Sequence, residues 1–187
     1  MAITLVVVGT PGAGKTTVLS KLKLAKDIEV IGMGTEMLKF AKGILNRDKL
    51  RYLSIEEQKN LRKKVINSIS RKRGIVILDT HLSIKNGNQY LPGFSISELK
   101  TLNVKGILYI DASPSEILKR RANDKTRERE QDSQEEIIEQ KDVNLGIISA
   151  SAIALNIPFY IFQNSKGKSS EVADEIAKVI ANTQDSD

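Results

Sequence analysis

The chain has 187 residues, enough for one domain with a substantial core, and a formal net charge of +6 that suits a nucleotide binder or a nucleic-acid binder. It has no cysteine and one histidine, His81, which excludes disulfides, thiolate metal sites and a multi-histidine zinc centre. Aromatic residues are 4% of the total, too few for a single-strand stacking platform, so nucleic acid is not the expected partner.

The first element is an apolar, β-branched run, Ile3-Thr4-Leu5-Val6-Val7-Val8, far below the ~20 residues of a membrane span. It has no basic region before it, so it reads as a buried strand and not as a signal peptide, and the expected compartment is the cytoplasm, with no membrane partner. Gly9-Thr10-Pro11-Gly12-Ala13-Gly14-Lys15-Thr16-Thr17 follows, and Val18, Leu19 and Leu22 continue at helical spacing over about 15–25. A glycine loop between a strand and a helix start is the setting in which G-x-x-x-x-G-K-[ST] cradles phosphate. The N–H groups of Gly9, Thr10, Gly12, Ala13 and Gly14 turn inward, and the helix start adds about half a positive charge. Pro11 and Thr17 complete the loop. Lys15 is placed to reach the β- and γ-phosphates of ATP, and the Thr16 hydroxyl to ligate Mg²⁺. Glycine is expected at Gly9, Gly12 and Gly14 because a side chain would block the phosphate or the backbone angles.

A second strand is expected at Ile28-Glu29-Val30-Ile31, closed by Gly32, and a short helix over 35–41 with Thr35 as N-cap or acceptor contact. Ser54-Ile55-Glu56-Glu57 has capping-box spacing and opens a longer helix ending in Arg71-Lys72-Arg73-Gly74. Ile75-Val76-Ile77-Leu78-Asp79 reads as a strand buried on both faces and ending in a carboxylate, Asp79, placed to orient Mg²⁺ through water. His81 reads as a packed structural residue, since a phosphate oxygen needs no strong base to attack. Residues 87–92 read as a turn-rich loop, 97–102 as a short helix and Gly106-Ile107-Leu108-Tyr109-Ile110-Asp111 as a strand. Ser113-Pro114-Ser115-Glu116 starts the next helix. It leads into Lys119-Arg120-Arg121-Ala122-Asn123-Asp124-Lys125-Thr126-Arg127-Glu128-Arg129, a solvated charged face or a hairpin whose paired arginines close over phosphates. A long helix over 133–155, a strand at Phe159-Tyr160-Ile161-Phe162 and a helix from Ser169 finish the chain. Strands alternating with helices give an α/β fold, a doubly wound parallel sheet of about five strands with helices on both faces and ligands beyond the strands' carboxyl ends.

No Asn-Lys-x-Asp or Asp-x-x-Gly motif of a GTPase is present, and Thr80 stands where a motor ATPase places a glutamate after the strand aspartate. The phosphate loop, Asp79-Thr80-His81, Tyr90-Leu91-Pro92-Gly93 and Asp124-Lys125-Thr126-Arg127-Glu128-Arg129 together resemble the adenylate kinases of archaeal type, among the nucleoside monophosphate kinases. The resemblance implies one P-loop kinase domain over 1–187, with an acceptor insertion at about 33–73 and a lid at about 120–132. It implies phosphoryl transfer from ATP to AMP with Mg²⁺, giving two ADP, in a homotrimer. Lys15, Arg120, Arg127 and Arg129 would then act on the transferring phosphoryl, with Thr35 and Lys85 on the acceptor side. Lys85 is the first cation after Asp79, where the more widespread members carry an arginine, and Val143-Asn144-Leu145-Gly146 replaces a second arginine after the lid. A P-loop kinase for another acceptor (a different nucleotide, a small metabolite or an RNA end) and a nucleic-acid-binding ATPase module stay open at this point.

Overall fold

The computed structural model describes residues 1–41, 43, 46–124 and 132–184. Among these, β1 (Ile3–Val8), β2 (Ile28–Gly32), β3 (Ile75–Asp79), β6 (Val104–Asp111) and β7 (Phe159–Gln163) form one parallel sheet in the order β2-β3-β1-β6-β7. The apolar runs make this sheet possible, because a central parallel strand must be greasy on both faces. In β1, Leu5 and Val7 face one layer while Val6 and Val8 face the other. The first layer is closed by α1 (Lys15–Leu19) and α7 (Ser169–Gln184), with Val18, Val172, Ile176 and Ile180 buried. The second holds α2 (Met33–Phe40), α3 (Ile55–Ile69), α4 (Ile96–Thr101) and α6 (Gln134–Leu155), represented by Met37, Val65, Leu99 and Ile148. Removing each such side chain from water contributes about 1.5–3 kcal/mol. A small third cluster, Ala13, Ala112, Ile117 and Ile137, packs under the glycine loop where α5 (Pro114–Asn123) meets α6.

β1 is central, flanked by β3 in register Val7↔Asp79 and by β6 in register Val8↔Tyr109. The chain visits β2 and β3 on one side before crossing to β6 and β7, so the carboxyl end of β1 opens at the switch point of the sheet, where α/β proteins bind ligands.

Several local expectations change. The first helix stops at Leu19, short of 25, because Ser20 donates its hydroxyl to the Thr17 carbonyl at 2.9 Å and the next bonds tighten to i−3, Lys21 N–H to Val18 at 3.0 Å and Leu22 N–H to Leu19 at 3.2 Å. The helix expected over 35–41 starts at Met33 with Gly32 as N-cap, so Thr35 lies inside the first turn and caps nothing. The Ser54 capping box is present, but α3 ends at Ile69, and Gly74 serves strand entry, with its carbonyl accepting from Ile3 N–H at 2.9 Å. Residues 87–92 are not a loop. β4 (Ser83–Asn86) and β5 (Gln89–Pro92) pair antiparallel around the two-residue turn Gly87-Asn88, and Pro92 sits at the strand end, where its missing N–H breaks no ladder inside the hairpin. Residues 33–73, the expected acceptor insertion, comprise α2, a 3₁₀ turn (Arg47–Tyr52) and α3. Of the expected lid, Lys125, Thr126, Arg127, Glu128 and Arg129 lie outside the described residues.

Candidate active site

The glycine loop runs from β1 into α1 with Gly12 at φ 95° and Gly14 at φ 92°, the left-handed region that a Cβ disfavours. The expected reason at Gly9 was phosphate approach, and the structure supplies another. A Cβ there would run into the Ile110 carbonyl of β6, so the residue is small to let two strands close. Lys15 is 9% exposed, and its ammonium donates to the Gly9 carbonyl at 3.1 Å, which holds it back across the loop. Thr16 and Thr17 are exposed in the first turn of α1. Ala13 N–H closes the loop on the Thr10 carbonyl at 2.9 Å.

Three side chains from two other parts of the chain, α5 and the residue just after β7, grip the loop backbone. Arg120 donates to the Ala13 carbonyl at 3.0 Å and to the Asn164 carbonyl at 2.7 Å. Asn164, just beyond β7 and 1% exposed, donates its amide to the same Ala13 carbonyl at 2.8 Å. Arg121 donates to the Pro11 carbonyl at 2.8 Å, to Gln140 at 3.2 Å and to Asp132. Fixed dipoles and cations around a braced loop are what an anion site requires. Buried Thr10 reaches inward to Tyr109, whose phenol burial pushes well above its usual range, so it stays protonated at neutral pH.

Asp79 ends β3 one strand from the loop, half-buried, with Thr80 N–H anchored on the Val7 carbonyl at 3.0 Å. Thr16 and Asp79 offer a hydroxyl and a carboxylate, the hard oxygen donors that Mg²⁺ takes together with substrate phosphates. Among the described residues, no cluster of three or more His, Asp or Glu could hold a metal by itself.

Lys85 lies on β4, with its ammonium 3.0 Å from Glu136 and 3.4 Å from Asp132. The hydrogen bond that Lys85 donates to the Glu136 carboxylate is the main cause holding its pKa above the ordinary value. Asp132 also takes Arg121, so Lys85, Asp132, Arg121 and the Pro11 carbonyl form one continuous chain from hairpin to loop. Thr35 is exposed in the first turn of α2, beyond the carboxyl end of β2. Of the sequence-derived residues, the structure therefore gathers Gly9 to Thr17, Asp79, Lys85 and Arg120 at one sheet edge, with Thr35 at the same end of the neighbouring strand. Arg121, expected with the lid arginines, instead braces the Pro11 carbonyl, and Asn164, Asp132 and Asn144 were not anticipated. A polar residue directly after a buried strand was the available signal for Asn164. For Asn144 and Gln140 the signal was a polar residue on the inward stripe of α6, four positions apart.

A family model described as an AAA domain matches residues 8–138, from the end of β1 into α6. The chain is 38% identical over 179 residues to the adenylate kinase of Thermoplasma acidophilum, covering 94% of this chain and 97% of that one. It is 34% identical over 188 residues to the adenylate kinase of Pyrococcus abyssi, covering 96% of each. The chain belongs to the adenylate kinase family. Among solved structures, shikimate kinase from Acinetobacter baumannii in complex with shikimate superposes with a TM-score of 0.62 at 18% identity over 98% of this chain and 95% of that one, a likeness of fold alone. In this adenylate kinase family member the glycine loop, the sheet's carboxyl edge and the hairpin base thus lie at one end of the fold.

Proposed function

We propose that the chain transfers the γ-phosphoryl group of MgATP to AMP, giving two ADP. The observation that carries the reading is a complete phosphate loop, braced by Arg120, Arg121 and Asn164 at the switch point of a parallel sheet, in a chain of this family over nearly its whole length. Catalysis is positioning and charge neutralisation, with no covalent intermediate. Loop N–H groups bind the β-phosphate, Lys15 leaves the Gly9 carbonyl for the β- and γ-oxygens, and Thr16 would ligate Mg²⁺ while Asp79 would orient it through water. The ion, when bound, neutralises charge on the phosphate oxygens. The whole chain is one kinase domain. Its insertion at 33–73, with Thr35, and Lys85 on the hairpin receive AMP, and the lid at 120–132 brings Arg127 and Arg129, with Arg120 at its root, over the transferring group.

Among the described residues no helix is long and apolar enough to cross a membrane, which supports a cytoplasmic enzyme. A homotrimer is proposed as well, on the family resemblance; exposed Ile153 on α6 and Phe159 and Ile161 on edge strand β7 offer apolar surface for self-association, and light scattering would measure it. The deciding experiment is a coupled assay of ADP formation with AMP, CMP, UMP and GMP. AMP should turn over fastest. Equal rates with CMP or UMP would move the protein to a broader monophosphate kinase, and no ADP from any acceptor would end the kinase reading.

A further inference from the structure

Beneath the phosphate loop, three elements distant in sequence meet through buried polar side chains. Ser83, the first residue of β4, donates its hydroxyl to Asn144 Oδ1 at 2.5 Å. Asn144, midway along α6, donates its Nδ2 to Thr10 Oγ1 at 3.5 Å, and Thr10 shares a hydrogen bond with the Tyr109 hydroxyl at 3.4 Å. Ser83 is 6% exposed, Asn144 8%, and Thr10 and Tyr109 0%. Polar groups this deep are kept only when each is matched, and a fully matched network holds its members in one arrangement.

The hairpin is docked on α6 at two points. Ser83 and Lys85 are two apart on β4 and therefore share a face. Ser83 meets Asn144, and Lys85 meets Glu136 eight residues earlier on the helix, a separation of about 12 Å along its axis. Asn144 is the member that also reaches the loop. One planar amide accepts from the hairpin and donates to the loop, which an aliphatic residue of the same size cannot do.

We infer that Asn144 is a positioning residue, setting the distance between the phosphate loop and the hairpin that carries Lys85 by holding Thr10 and Ser83 with a single amide. The inference rests on the proposed reaction, in which the loop holds the donor and the hairpin faces the acceptor. A displacement of about 1 Å between two substrates lowers transfer about 100-fold while hardly touching the binding of either one.

The test uses the full chain with Asn144→Leu, Ser83→Ala, Thr10→Val and the Ser83→Ala/Thr10→Val double variant. For Asn144→Leu the expected result is a kcat at saturating ATP and AMP lowered about 10- to 100-fold, with the ATP dissociation constant by calorimetry within about threefold of wild type. Ser83→Ala and Thr10→Val should be non-additive in kcat, and should become additive in the Asn144→Leu background. Hydrogen exchange supplies a readout independent of activity. Thr10→Val should speed exchange of the hairpin amides at 83–92, across the Asn144 bridge. A purely structural Asn144 would lower the melting temperature and leave kcat, measured well below it, at the wild-type value. That result, additivity of Ser83→Ala and Thr10→Val with Asn144 present, or unchanged hairpin exchange would each overturn the inference. If Asn144→Leu does not fold, the Ser83 and Thr10 variants decide it alone. A wild-type chain that makes no ADP would count against the proposed reaction, whereas an active wild type with normal variants would count against the positioning role only.

Discussion

The Ala13 carbonyl is a place where the bracing of the loop can be measured. Ala13 is 0% exposed, and its carbonyl accepts from Arg120 at 3.0 Å and from Asn164 at 2.8 Å. Removing either donor leaves the other. Asn164→Ala loses that bond and the one accepted from Ser169 at 3.0 Å, at about 1–2 kcal/mol in all. The Arg120 side chain is 30% exposed, so solvent screens it and Arg120→Ala should cost about 1 kcal/mol. The double variant leaves a buried carbonyl with no donor, which adds about 1–3 kcal/mol beyond the two singles. Urea unfolding of the four proteins gives the cycle, and in a chain of this length each kcal/mol corresponds to a melting shift of about 2–4 °C. The double variant should also bind ATP more weakly than either single, because the freed carbonyl lets the loop relax. An interaction energy within about 0.5 kcal/mol of zero would refute the reasoning, since it would mean that the donors act independently or that water reaches the carbonyl.

Lys15→Met should abolish ADP formation while the melting temperature stays near wild type, because about 3–5 kcal/mol of transition-state stabilisation rests on that cation; turnover above a tenth of wild type would refute it. Asp79→Asn should raise the Mg²⁺ concentration needed for half-maximal turnover more than it weakens ATP binding, and an unchanged metal titration would return Asp79 to a structural role. Arg127→Ala and Arg129→Ala should each lower kcat by orders of magnitude at constant melting temperature, the double change should be less than the product, and the lysine replacements should fail to rescue for want of the planar fork. Normal turnover in both alanine variants would retire the lid.

Local order in the chain spelled out much of the fold. Apolar runs at Ile3, Ile75 and Gly106 are strands because a central parallel strand must be apolar on both faces, and Ser54, Ser113 and Ser133 start helices because each side chain accepts an N–H three residues on. The loop motif announced the phosphate site for the same reason, since neighbouring residues supply its donors. Long-range pairing decided the rest. The β4–β5 hairpin stands where turn residues suggested a loop, and it is docked through Ser83 on Asn144, sixty-one residues away, a contact outside its local propensity. Gly9 is glycine on account of β6, about a hundred residues on, which no local rule contains. The residues that brace the loop, Arg120, Arg121, Asn144 and Asn164, come from helices and a strand end whose nearness to Gly12 and Gly14 exists only after the sheet has closed in the order β2-β3-β1-β6-β7. A motif can specify which groups bind phosphate because the chain itself carries them past the ligand in order. It cannot specify what holds those groups still, because rigidity is a property of contacts between segments, and those are set by which apolar faces meet in the core.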